Sequence, residues 1–262
     1  MKIYTMSLQT RPIMTIAAVV ALLSLTKVSA VAQQRPMRST KTVSGPTPHK
    51  ADGKVDFGGV WQSPRMADVT HSEGCCEASI LSFTPWGKER WESYDASKAD
   101  YAGSCLPFGL LRSVGGPHPI QIIQDDKYIA MLYEQNTWFH VTPIDGRPHP
   151  KDPDPTWFGN SIGHWEGNDT LVIDTIAFNG LTRVDTIGHP ISDQLRTIER
   201  FQRPDLGHIA YTLTVDDPKT YTKPWVSKRT WYLRPEWEIM EYSCEENNKD
   251  LREGHIKPGV QP

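Results

Sequence analysis

The chain has little surplus of either charge: 28 Lys and Arg against 31 Asp and Glu leave a formal net charge of -3. That near balance argues against a nucleic-acid binder, which needs a basic face to meet phosphates. Cysteine is scarce, with 4 residues in 262, and none stands in a C-x-x-C pair. No H-x-H or H-E-x-x-H occurs, so the histidines carry no metal-ligand spacing and no metal is expected. The glycine patterns of a P-loop and of a dinucleotide site are missing too. A nucleotide enzyme and a dinucleotide-dependent redox enzyme are therefore disfavoured, and no cofactor is expected.

Long apolar runs are equally rare. The one candidate is Ile13 to Leu25, preceded by Lys2 and Arg11 and followed by the small residues Val28-Ser29-Ala30. This is the order of a signal peptide, and the run falls short of the ~20 apolar residues of a comfortable membrane span. Residues 1–30 are thus expected to be a cleaved signal peptide, with a periplasmic or secreted product and no membrane insertion after cleavage. Residues 31–55, polar and rich in Gln, Ser and Pro, read as a disordered leader, and residues 56–262 as a single domain. Export permits disulfides. Cys75, Cys76, Cys105 and Cys244 allow three connectivities between which sequence alone does not choose. A bridge between the neighbours Cys75 and Cys76 would be strained, and Cys105–Cys244 is the favoured pairing.

What the chain does have is aromatic side chains, with 9 Trp, 9 Tyr and 7 Phe. These favour strands and fill cores or line pockets. Alternating segments begin at Ile120–Gln124 and Tyr128–Glu134, which flank the turn Asp125-Asp126-Lys127. They continue at Thr137–Ile144, His164–Glu166, Leu171–Thr175, Leu195–Arg203, His208–Val215, Val226–Leu233 and Glu238–Tyr242. Order is expected to begin at Asp56 to Trp61, and the pattern from Ile120 onward predicts about nine antiparallel strands and no parallel β-α-β sheet. The fold class is mostly β: a lipocalin-like antiparallel barrel, or else a β-sandwich, after an irregular N-terminal region. One short helix is predicted over Pro85–Tyr94, with Thr84 as its N-cap.

Several stretches resemble an uncharacterised family of secreted bacterial proteins. They are DFGGVW (56–61), LSFTPWGK (81–88), CLPFG (105–109), DGRPHP (145–150) and DPTWFGNSIGHWE (154–166), followed by DTLVID (169–174), GHPISD (188–193), DDPKTYTKPW (216–225) and YSCEENNKD (242–250). The resemblance implies a lipocalin-like strand pattern and an exported product; it implies no particular chemistry. Two positions depart from it: His164 stands where Arg is expected, and Ile191 where a second His is expected. A mechanism that needs that second His is put in doubt.

Candidate chemistry centres on ionisable groups in the strand-rich region. Gly188-His189-Pro190 puts an imidazole on a loop, and Asp193 is close enough in sequence to orient it as a general base. Alternation sets Glu199 on the face of Thr197 and Phe201, where an apolar interior would raise its pKa and make it an acid. Asp174 shares a face with Val172 and Ile176 and needs a partner if buried. Tyr133, His140, His164, Tyr221, Lys223 and Trp225 are candidate ligand contacts, with Tyr221, Lys223 and Trp225 alternating onto one side of a strand. Each has a plain structural alternative: a loop clamp for His189, an ion pair for Glu199, a solvated surface for Lys223. The expected function is a cofactor-independent lyase, isomerase or hydrolase acting by His/carboxylate acid–base chemistry. Its ligand would be a small apolar, aromatic or sugar-like molecule inside the barrel. The alternative is a periplasmic carrier that binds a small hydrophobic molecule without catalysis. Oligomeric state is left open.

Overall fold

Alternation of inward and outward side chains dominates the computed structural model from Ile120 onward, and it builds one long antiparallel sheet. The structure describes residues 41–71, 77–78, 80–95, 100–246, 248–249 and 253, all within the unit Ser39–Pro262. The proposed signal peptide, residues 31–40 of the leader, Cys75 and Cys76 lie outside the described residues.

The strands are β1 (Gly59–Gln62), β2 (Glu77–Ala78), β3 (Ile120–Gln124), β4 (Tyr128–Tyr133), β5 (Phe139–Pro143), β6 (Asn160–Glu166), β7 (Thr170–Ile176), β8 (Arg196–Asp205), β9 (His208–Asp216) and β10 (Trp225–Leu233). Their order is β5-β4-β3-β1-β10-β9-β8-β7-β6, with β2 added to β10. The two ends of this path curl toward each other into a nearly closed barrel. Gly146 N donates to Gly163 O at 3.1 Å, and Ser161 Oγ lies 2.9 Å from His140 Nε2 across the seam. Gly163 makes the approach possible: a Cβ there would sit 2.9 Å from Ile144 Cγ2. Curling in this way leaves little free sheet edge to pair with other chains.

Period-2 alternation sorts each strand. On β8, Thr197, Glu199, Phe201 and Arg203 are buried while Arg196 and Gln202 are exposed. A ring cluster fills part of the interior: Tyr211 lies 5.0 Å from Phe201 and 4.9 Å from Trp231, and Phe57 packs 6.1 Å from Phe201. Edge-to-face and tilted geometries such as these add to the burial of apolar area.

Two helices flank the barrel, α1 (Pro85–Glu92) and α2 (Gly109–Val114). The N-cap reading holds: Thr84 Oγ1 accepts from Gly87 N at 3.0 Å, with Pro85 at the first helical position. Helix α1 docks on the turn before β10 through Thr84 N to Thr220 O at 3.0 Å and Thr222 N to Ser82 O at 2.7 Å. No described helix is long and apolar enough to cross a membrane.

Three expectations need correction. Residues 41–55 are ordered, not a loose leader: Val55 is buried, Leu206 N donates to Gly45 O, and Asp56 N donates to Pro48 O. The polar composition of this strap hides its few apolar anchors and its backbone pairing. Glu238–Tyr242 is not a strand; Met240 N is held by the Glu134 side chain at 3.0 Å, not by a neighbouring strand. Among the described residues there are two α-helices, not one, and α2 is too short to show a helical period.

Candidate functional site

A tight hairpin from Arg183 to Pro190 carries the clearest chemical arrangement in the molecule. Its arms pair through Val184 N to His189 O at 2.9 Å and a bridge between Arg183 and Pro190. The turn closes because Gly188 takes φ +94 and because the absence of a Cβ there admits the Tyr94 ring, whose nearest carbon would be 1.9 Å from one. Folding back brings Asp185 against His189. Asp185 Oδ1 accepts from Gly188 N at 3.0 Å and His189 N at 3.1 Å. Its Oδ2 accepts from Val69 N at 2.8 Å and lies 2.6 Å from His189 Nδ1. A carboxylate can only accept here, so Nδ1 carries a proton, and in the neutral ring Nε2 keeps the lone pair. The ring is fixed further by Trp91, stacked at 4.1 Å with an interplanar angle of 11°, and by Phe83, parallel at 6.2 Å.

His189 opens onto a cavity of about 400 Å³ lined by Asp68, Thr70, His71, Ile80, Leu81, Phe83, Trp91, Ile187 and His189. Apolar walls with a few polar groups at one end are the usual make-up of a small-molecule site. Asp68 accepts from Thr70 N at 2.8 Å and Thr70 Oγ1 at 2.7 Å, and its other oxygen lies 2.7 Å from His71 Nδ1. Partial burial opposes its charge, but the Thr70 and His71 hydrogen bonds and the nearness of His189 outweigh it and lower its pKa. One atom each of Asp68, Asp185 and His189 falls within 4.8 Å of the others, close enough to share a cation. Asp185, however, already holds three backbone N–H groups and the His189 ring, so a cation would have to break these bonds. The cluster fits proton transfer better than metal binding.

The other sequence candidates are dispersed. Asp193 does not orient His189; it is exposed and pairs with Lys219 Nζ at 2.9 Å, while Asp185, on the opposite side in sequence, takes the role. Asp174 lies on the outer face of β7, tied to Arg196 at 2.6 Å and 3.7 Å from His149 Nε2, whereas Leu171, Ile173 and Thr175 face inward. Asp174 is therefore an ion-pair residue, not a catalytic acid. Glu199 does face the interior, fully buried, and accepts from Tyr211 Oη at 2.8 Å. Burial pushes its carboxyl up to about 7, against the Tyr211 hydrogen bond and the Arg229 charge. Tyr133 is buried in the same interior. No hydrogen bond or ring contact between described residues joins this group to His189.

His140 is buried, and burial pushes its ring down to about 4. His164 is exposed on the outer face of β6. Tyr221, Lys223 and Trp225 do not share a side: Tyr221 and Trp225 are buried and Lys223 is exposed, because the strand begins only at Trp225. Tyr221 nonetheless supports the site, donating from Oη to Pro190 O at 2.8 Å and packing 5.3 Å from Phe83. The favoured disulfide is present: Cys105 is bonded to Cys244.

Sequence reading missed Asp185, Asp68, His71, Phe83 and Trp91. It also passed over Gly159-Asn160-Ser161-Ile162-Gly163, which has the G-x-S-x-G spacing. A serine nucleophile of that type sits on a sharp strand-to-helix turn. Here Asn160–Gly163 run straight along β6, and Ser161 Oγ, buried, lies 2.6 Å from Thr175 Oγ1 and 2.9 Å from His140 Nε2, tying β5, β6 and β7 together. Set against known proteins, the sequence matches no family model and no curated relative.

Proposed function

We propose that this chain is an exported enzyme that transfers protons without a redox cofactor, as a lyase, isomerase or hydrolase of a small molecule bound in the cleft beside α1. The observation that carries this reading is the Asp185–His189 pair at 2.6 Å, buried at one end and opening on an apolar cavity at the other. His189 Nε2 is the base, Asp185 holds the ring in the right tautomer, and Phe83 and Leu81 offer an apolar body to the ligand. The N-terminal charge and hydrophobicity order and the Cys105–Cys244 bond support a periplasmic or secreted location. The matching stretches from Asp56 to Asp250 support membership in the secreted bacterial family named above.

The test is an incubation of the mature protein with a culture metabolite extract, followed by mass spectrometry. Wild type is expected to deplete a compound and form a product. His189→Ala is expected to slow that depletion about a hundredfold, the low end of a general acid–base contribution. Asp185→Asn is expected to follow it, and Asp193→Asn to retain the wild-type rate. Equal turnover by wild type and His189→Ala would sink the reading. The carrier alternative is favoured by one feature, the apolar lining of Ile80, Leu81, Phe83, Trp91 and Ile187. Retention of a compound without conversion, by wild type and His189→Ala alike, would select it.

A further inference from the structure

Five arginines are buried among the described residues: Arg112, Arg183, Arg203, Arg229 and Arg234. Four of them give their guanidinium to an oxygen. Arg112 makes a fork with Asp100 at 2.9 Å through both terminal nitrogens. Arg203 donates to Leu206 O at 2.7 Å, Arg229 to Val114 O at 2.8 Å and Arg234 to Gln62 Oε1 at 2.9 Å. Arg183 differs: its guanidinium has no hydrogen bond and no ion pair, and rests on the face of the Tyr94 ring at 4.6 Å. The guanidinium nitrogens still reach solvent, so the cation is open to an external acceptor over the ring face.

The surroundings add to the imbalance. Arg90 is near enough to repel Arg183, and burial together with that charge lowers the Arg183 pKa. Arg90 itself lies over the Trp86 ring at 5.8 Å. The Tyr94 hydroxyl is buried and has no hydrogen-bond partner. No ion pair between described residues reaches Arg183, and Asp100, a carboxylate that acts on Tyr94, is committed to Arg112.

We propose that Arg183, with the Tyr94 hydroxyl, forms a binding site for the carboxylate or phosphate group of a small molecule. A guanidinium fork matches either oxyanion with two parallel hydrogen bonds. Arg183 sits on the same hairpin as Asp185 and His189, and Tyr94 touches both Arg183 and the Gly188 position. That the anion belongs to the molecule turned over at His189 rests on the functional reading above; the binding site itself does not.

Thermal unfolding of the full chain at matched ionic strength, in sodium benzoate, inorganic phosphate or chloride, tests the proposal. The Tm of wild type is expected to rise with benzoate, phosphate or both relative to chloride, and the responding salt identifies the oxyanion preferred. Arg183→Gln is expected to bind about tenfold or more weakly, the loss of a charge-assisted contact. Arg183→Lys, which keeps the charge but not the fork, recovers part of the response, and His189→Ala keeps all of it. Should Arg183→Gln not fold, the Nε–Hε NMR resonance of Arg183 in wild type is expected to move during the titration. A wild type that responds to neither oxyanion beyond chloride, or an Arg183→Gln that responds like wild type, overturns the site. That outcome leaves metabolite turnover at His189 untouched.

Discussion

Glu199→Gln is expected to stabilise the protein by about 3 kcal/mol at pH 8 and to leave its stability at pH 4 nearly unchanged. The reason is the carboxyl's surroundings. Full burial raises its pKa from the ordinary value of 4.5 to about 7, with the Tyr211 hydrogen bond and the Arg229 charge offsetting part of the shift. A carboxyl raised in the folded state binds its proton more tightly folded than unfolded. Its contribution is therefore complete below the unfolded pKa and is lost as pH rises through 7. Glutamine mimics the neutral form at every pH while still accepting from Tyr211. Urea unfolding of both proteins from pH 4 to 8, with the disulfide intact, measures the difference curve. A flat curve, or a variant less stable at pH 8 than wild type, would show that Glu199 is not the desolvated acid described here.

Breaking the Cys105–Cys244 bond is expected to cost more. The bond closes a loop with a sequence separation of 139 residues. In the chain-entropy model a crosslink of that span restricts the unfolded chain by about 5 kcal/mol. The double variant Cys105→Ser/Cys244→Ser should shift its urea midpoint accordingly, with little change in far-ultraviolet circular dichroism of the barrel. Locally, the described ties of the segment after β10 that remain include Arg234 N to Val60 O at 2.8 Å, Asn248 Nδ2 to Gly103 O at 3.1 Å and Met240 N to the Glu134 carboxylate at 3.0 Å. Unchanged stability in the double variant would mean that the unfolded chain is already held compact by other means.

The barrel was legible because inward and outward residues differ sharply along its strands. Thr197, Glu199 and Phe201 inward against Ile198 and Arg200 outward is a pattern no helix produces, and β8 follows it. Glu238–Tyr242 shows a similar pattern yet is no strand, because pairing depends on a neighbour that local sequence does not reveal. Helix α2 was illegible for the opposite reason, being too short for any period. At the site, Gly188-His189-Pro190 marked the imidazole but not its partner. Asp185 and Asp193 stand equally far from His189 in sequence, and only the positive φ of Gly188 decides which one folds back. Asp68 and Trp91 reach the same cleft from distant segments, a convergence that requires the whole fold.

The pairing of β1 with β10 carries a consequence for how the molecule is made. The strand encountered first lies in the middle of the sheet, flanked by β3 and by the strand encountered last. Synthesis must deliver Trp225–Leu233 before Gly59–Gln62 gains its second neighbour. Such distant partners make assembly slow and all-or-none. A product truncated before residue 225 would leave Trp61, its NH bonded only locally to Phe57 O, without the Leu233 opposite it, a half-built wall open to proteases.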